Sequence, residues 1–161
     1  MVGVGRRGGV RIDMAFTSFQ NFCETAQLVQ PGGFSAGHGR WQAALATGGS
    51  ESLPEFLLRE SGQAEETYLT QVAEAFDWGQ VDLSDVRPTN ESLRRIPSKV
   101  ANQYKVIPVK VEEGVIEVAV SNPFETGLLG AVRFAAQGPI RFVLATREEI
   151  ERAYEKFYGV G

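Results

Sequence analysis

The sequence predicts an α+β fold: a helical N-terminal region followed by a small sheet of about three strands packed with helices. Three observations carry this. Apolar residues recur at helical spacing up to Phe76, the period switches to two between Lys105 and Val120, and two capping-box signatures, at Ser52 and Thr146, mark helix starts.

Glycine is dense before Ser52, in MVGVGRRGGVRI, PGGFSAGHG and TGGSES, so residues 1–50 read as a loosely tethered glycine-rich leader with one or two helices. Within it, Phe16, Phe19, Phe22, Cys23, Ala26 and Val29 give a helix over 14–30 that Pro31-Gly32-Gly33 ends. A shorter helix, 40–47, packs through Trp41, Ala44 and Leu45. Residues 1–12 bury little apolar area in this reading, so their removal is expected to leave stability nearly unchanged.

A main domain, 51–161, follows, with a helical hairpin at 53–78 and an α/β part at 81–159. Ser52-Leu53-Pro54-Glu55 combines an N-cap serine, a first-turn proline and a glutamate three residues after the cap, and starts a helix that runs to about Ser61 before Gly62 breaks it. The next helix, from Glu65 to Phe76, carries Tyr68, Leu69, Val72, Ala73 and Phe76 on one stripe. Residues 90–103 give two helical turns interrupted at Ile96-Pro97, because proline starts a helix more readily than it continues one.

Ile107, Val109 and Val111 then alternate, Glu113-Gly114 turns, and Ile116, Val118 and Val120 alternate back as a β-hairpin. Pro108 lacks a donor, so its strand belongs at an edge or a bulge. Leu128, Leu129, Val132 and Ala135 form the stripe of a helix over 125–137. The strand 140–145 completes a crossover expected to be right-handed. Thr146-Arg147-Glu148-Glu149 opens a terminal helix with Ile150, Ala153, Tyr154 and Phe157 at i, i+3, i+4 and i+7.

Composition narrows function. After Ser50 the chain holds twelve basic and eighteen acidic residues, which argues against a nucleic-acid surface. One cysteine, Cys23, excludes an internal disulfide, and with the one histidine, His38, it excludes the usual zinc clusters; no metal site is expected. No apolar run reaches the length of a membrane span and no secretory signal is evident, so a cytoplasmic protein without direct membrane insertion is expected.

The chemical motifs fail on context. Gly3-x-Gly5-x-x-Gly8 has no strand before its turn, so a flexible or upstream-extended leader is expected there and not a dinucleotide site. Gly33-x-Ser35-x-Gly37 matches a nucleophile elbow, yet its only histidine, His38, stands three residues on instead of late in the chain; a flexible linker with a solvated His38 is expected. None of the four lysines follows a glycine, which removes the phosphate loop and, with it, ATP turnover by this chain. The pairs Glu65/Glu66, Glu112/Glu113 and Glu148/Glu149 fall at helix starts or a turn, where dipole or solvation accounts for them. Arg94, Arg95 and Lys99 form the densest basic cluster: a solvated helix face by default, a dock for an acidic partner as the functional alternative.

The order LPEFLLRESG, VDL, IPSKVANQYKVIPV, GVIEVAVSNP and IRFVLATREEIERAYEKFYG resembles the N-terminal (MshEN-type) domain of type II secretion and type IV pilus assembly ATPases, the GspE/PulE/PilB group, from Leu53 to Gly159. The resemblance implies a non-catalytic cytoplasmic adaptor without a cofactor, joining an ATPase core in cis or in trans to the cytoplasmic domain of an inner-membrane platform protein, and so peripheral to that membrane. The chain is then a piece of such an ATPase or a stand-alone relative. Some members bind cyclic di-GMP through a motif resembling R-L-G-x-x-L-V-x-x-G, a run to a leucine and a closing glutamine, often present twice. Leu53, Leu57, Leu58, Gly62 and Leu69 occupy matching positions here, with one extra residue before Gly62. Ser52 stands for the arginine, Pro54 for the glycine and Phe76 for the glutamine, and no second copy occurs. Without the arginine fork for phosphate or guanine, weak or no binding is expected.

Overall fold

The computed structural model describes residues 19–125 and 127–159, and the backbone divides into two compact units, Met1–Phe76 and Asp77–Gly161. The leader expected over 1–12 and Phe16 lie outside the described residues.

The helical unit contains α1 (Phe19–Thr25), α2 (Phe34–Ala46), α3 (Leu53–Ser61) and α4 (Glu65–Phe76). Helix α1 ends earlier than its apolar spacing suggests, because Gln27 turns into the left-handed region at φ 62° and the Leu28 amide bonds back to the Cys23 carbonyl. A loose tether does not describe residues 19–46: Cys23, Ala26 and Leu28 are buried, Gln63 Nε2 donates to the Ala26 carbonyl, and Trp41 Nε1 donates to the Glu51 carbonyl at 2.8 Å. Nor are residues 33–37 a flexible linker. They open α2, where Gly37 is buried because its missing Cβ admits Leu57 Cδ2, which would stand 2.9 Å from it. The capping box of α3 is complete: Ser52 Oγ accepts from the Glu55 amide, Glu55 Oε1 accepts from the Ser52 amide, and Gly62 closes the helix at φ 76°.

The α/β unit holds β1 (Gly79–Gln80), a 3-10 turn (Leu83–Asp85), α5 (Asn90–Arg95), α6 (Ser98–Tyr104), β2 (Val106–Glu112), β3 (Val115–Val120), α7 (Leu128–Ala136), β4 (Ile140–Leu144) and α8 (Arg147–Tyr158). The sheet has four strands in the order β1-β4-β3-β2, one more than the sequence suggests. The extra strand is two residues long and has no apolar alternation to announce it. It pairs parallel to β4, Gly79 with Val143 and Gln80 with Leu144, beside the stack of Trp78 on Phe142 at 5.2 Å. Strand β2 is an edge and its register slips between Pro108 and Lys110, so the proline sits both on an edge and at a bulge.

Register assigns the faces. Val106, Pro108, Ile116, Val118, Val120, Phe142 and Leu144 share one face, on which α7 lies, with the Arg133 guanidinium 5.3 Å from the Phe142 ring centroid. Ile107, Val109, Ala119 and Val143 share the other and pack with Leu83, Ala145, Ile150 and Ala153, so α8 and the 3-10 turn cover it. Helix α8 starts at its expected box, where Thr146 Oγ1 accepts from the Glu149 amide at 3.1 Å and Glu149 Oε1 accepts from the Thr146 amide at 3.0 Å. Its far end is fixed by Tyr158, whose hydroxyl donates to the carbonyl of buried Ile96 at 2.5 Å; burial, and then the neighbouring Tyr154, hold that phenol above its ordinary pKa.

Candidate functional site

The hairpin positions that match the cyclic dinucleotide motif are used mainly for packing. Leu57 and Leu69 are buried in the helical unit, Leu53 and Leu58 are half-buried, and exposed Gly62 is the left-handed cap of α3. Ser52, at the motif's arginine position, spends its side chain on the capping box. The two arginines described in this unit are each ion-paired: Arg40 with Glu60 at 2.9 Å and Arg59 with Glu51 at 2.8 Å. Ser35 lies in the first turn of α2, where no strand delivers it to an elbow. His38 is half-buried with its ring between Phe34 and Trp41, rather than solvated.

Cys23 and Tyr68 form the buried titratable pair of this unit. Burial pushes the Cys23 thiol from 9.0 up to about 12, with Glu24 adding to the shift. Tyr68 moves well above the ordinary phenol range for the same reason, reinforced by Cys23, and its hydroxyl has no hydrogen-bond partner among the described residues. Below pH 9 both folded and unfolded thiols keep their proton and the contribution to stability is whole. As pH rises through 9 toward 12 the unfolded thiol ionises first, so stability falls. Urea unfolding of the helical unit is expected to shift to lower midpoints between about pH 8 and about pH 11. A flat midpoint over that range would contradict a thiol held neutral by burial.

The basic cluster of the α/β unit is not one feature. Arg95, on α5, turns inward: Nε donates to the Ala136 carbonyl at 2.9 Å and Nη1 to the Gly114 carbonyl at 3.2 Å, joining the end of α7 to the β2–β3 turn. Gly138 leaves room for it, since a Cβ there would stand 2.7 Å from Arg95 Nη2. Arg94 and Lys99 are exposed, and neither is hydrogen-bonded or ion-paired among the described residues. The contrast with α8 and the sheet is plain, because there Arg147 pairs with Glu151, Arg152 with Glu148, Arg141 with Glu117 and Lys110 with Glu112.

Two features escape the sequence reading. Phe134, on α7, is 82% exposed. Its place off the stripe Leu128, Leu129, Val132 is the signal that finds it. A groove of about 740 Å³ between α6 and α8, lined by Ala101, Asn102, Lys105, Tyr154, Glu155 and Lys156 among others, depends on how the two helices pack and has no local signature. Among the described residues no helix is long and apolar enough to cross a membrane, and no cluster of three or more His, Cys, Asp or Glu could hold a metal ion.

Comparison with known proteins places this geometry. The fold is shared with the structure of MshE with cdg, cyclic di-GMP, at a TM-score of 0.66 and 16% identity, over 86% of this chain and 96% of that one. It is shared with the N-terminal domain of XpsE in two crystal forms. One gives a TM-score of 0.59 at 22% identity over 70% of this chain and 79% of the other; the second gives 0.57 at 20% identity over 95% and 98%. No curated protein sequence matches the chain significantly. The MshEN domain family model matches residues 76–161, more than half of the sequence and coincident with the α/β unit but for Phe76. The chain therefore belongs to the MshEN domain family.

Proposed function

We propose that the chain is a non-catalytic docking module of a type II secretion or type IV pilus ATPase system, working with an ATPase core in cis or in trans. Its partner in this reading is an acidic surface on the cytoplasmic domain of an inner-membrane platform protein. The supporting observation is that Arg94 and Lys99 are exposed and have no ion pair among the described residues of the family-matched unit, whereas Arg147 and Arg152 of α8 and Lys110 and Arg141 of the sheet are each paired with a carboxylate. Exposed charges of this kind act on encounter and are screened by salt. Titration of the chain against the platform domain is expected to give a saturable complex at low salt that weakens as salt rises. Failure to saturate at any salt would sink the reading.

A second reading, a cyclic di-GMP receptor, is favoured by one observation: the fold aligns with that of MshE solved with this ligand. Against it stand the spent Ser52, the buried Leu57 and Leu69, and the carboxylate-paired Arg40 and Arg59. Apolar packing alone does not select a charged dinucleotide. Calorimetric titration with cyclic di-GMP is therefore expected to show no micromolar site, and a saturable one in the 53–76 hairpin would promote the receptor reading over docking.

A further inference from the structure

Helix α7 carries a combination that the α/β unit does not use internally. Phe134 is 82% exposed, against 39% for Leu45, the other exposed large apolar side chain among the described residues. A lone surface phenyl needs no explanation by itself. One turn earlier on the same helix, however, stands Gly130, exposed and without the positive φ that would demand a glycine. A Cβ built there meets nothing within 4 Å among the described residues. Alanine would hold the helix better, and neither backbone conformation nor crowding stands in its way. Phe134 therefore rises beside a strip of bare helix backbone that stays open.

The charge on α7 itself has one sign. No carboxylate lies on α7, whose sequence is LLGAVRFAA. Arg133 adjoins Phe134, lies over the face of the Phe142 ring and has no ion pair among the described residues. Helix α6 packs against α7, and α5 reaches its C-terminal end through Arg95; α6 carries exposed Lys99 and α5 exposed Arg94 beside one exposed carboxylate, Glu91, and neither cation is ion-paired among the described residues.

We propose that α7 is the apolar centre of the docking surface, and that it receives an acidic amphipathic helix of the platform protein's cytoplasmic domain. An aliphatic or aromatic side chain of that helix packs on Phe134, its backbone approaches over Gly130, and its carboxylates face Arg94, Lys99 and Arg133. Such an arrangement has the usual anatomy of an interface, an apolar anchor within a polar rim. This inference rests on the docking reading above and adds the surface and the chemistry of what covers it.

The test uses the full 161-residue chain and the platform domain at low salt, with thermal melts of every variant. Phe134→Ala is expected to weaken the complex about tenfold while the salt response persists, as removal of an apolar anchor does. Gly130→Ala is expected to act in opposite directions on the two readouts. It should raise the melting temperature by about 2 °C, because alanine is the better helix former, and weaken the complex about fivefold, because its methyl fills the approach. A purely structural glycine would not separate the two. If the wild-type chain binds and both variants bind as it does, α7 is not the surface and the docking reading stands without it. If the wild-type chain forms no complex, the docking reading falls and this inference falls with it. Wild-type self-association in sedimentation velocity, lost in Phe134→Ala, would make a second copy of the chain the occupant and overturn the acidic partner.

Discussion

Ile107→Ala is expected to destabilise the α/β unit by about 2 to 5 kcal/mol, the largest effect of any single substitution considered for this chain. Ile107 is fully buried on the face of the sheet that α8 covers, packed in one cluster with Leu83, Val109, Ala119, Val143, Ile150 and Ala153. Removing three methyl or methylene carbons there loses their transfer free energy and leaves a cavity. The strand on one side and the capped helix on the other can close it only in part. The measurement is urea unfolding, read as a fall in midpoint with little change in slope. Phe134→Ala is the internal control: a phenyl already in solvent contributes little to folding, so its loss should stay within about half a kcal/mol. Equal effects at the two positions would contradict the assignment of Ile107 to the core.

The second large effect separates three cations that look alike in the sequence. Arg95→Glu is expected to cost about 2 kcal/mol or more, because it removes the donors to the Ala136 and Gly114 carbonyls. The same change sets a carboxylate at the negative end of the α7 dipole. Arg94→Glu and Lys99→Glu should each change stability by no more than about half a kcal/mol, since neither side chain has a hydrogen-bond or ion-pair partner among the described residues. Parallel thermal or urea unfolding of the three single variants decides the matter. Three equal and small effects would return Arg95 to the solvated face.

What the sequence made legible follows the range of the interaction that decides each feature. The capping boxes at Ser52 and Thr146, the Ile96-Pro97 break and the Glu113-Gly114 turn are settled within four residues, and all of them form. The edge position of Pro108 was also readable, because a missing donor excludes a central strand at that register. Features set by distant partners were not. Strand β1 is held by β4, and Gly37 opens α2 against Leu57, which lies twenty residues away in sequence. Arg95 reaches a helix end 41 residues on, and no periodicity marks that. Candidate sites suffered most, since Arg94, Arg95 and Lys99 share one composition and differ only in what each guanidinium or ammonium meets in three dimensions. In the same way, Leu57 and Leu69 match a ligand motif and a helix-hairpin core equally well by spacing, and burial assigns them to packing.

The docking account is tested most directly by the double reversal Arg94→Glu/Lys99→Glu, measured for binding to the platform protein's cytoplasmic domain at a low and a high salt concentration. The expected result is a variant that unfolds like the wild-type chain, associates more slowly and weakly at low salt, and loses most of the salt dependence that the wild-type complex shows. A folded variant with wild-type affinity and an unchanged salt response would contradict the account.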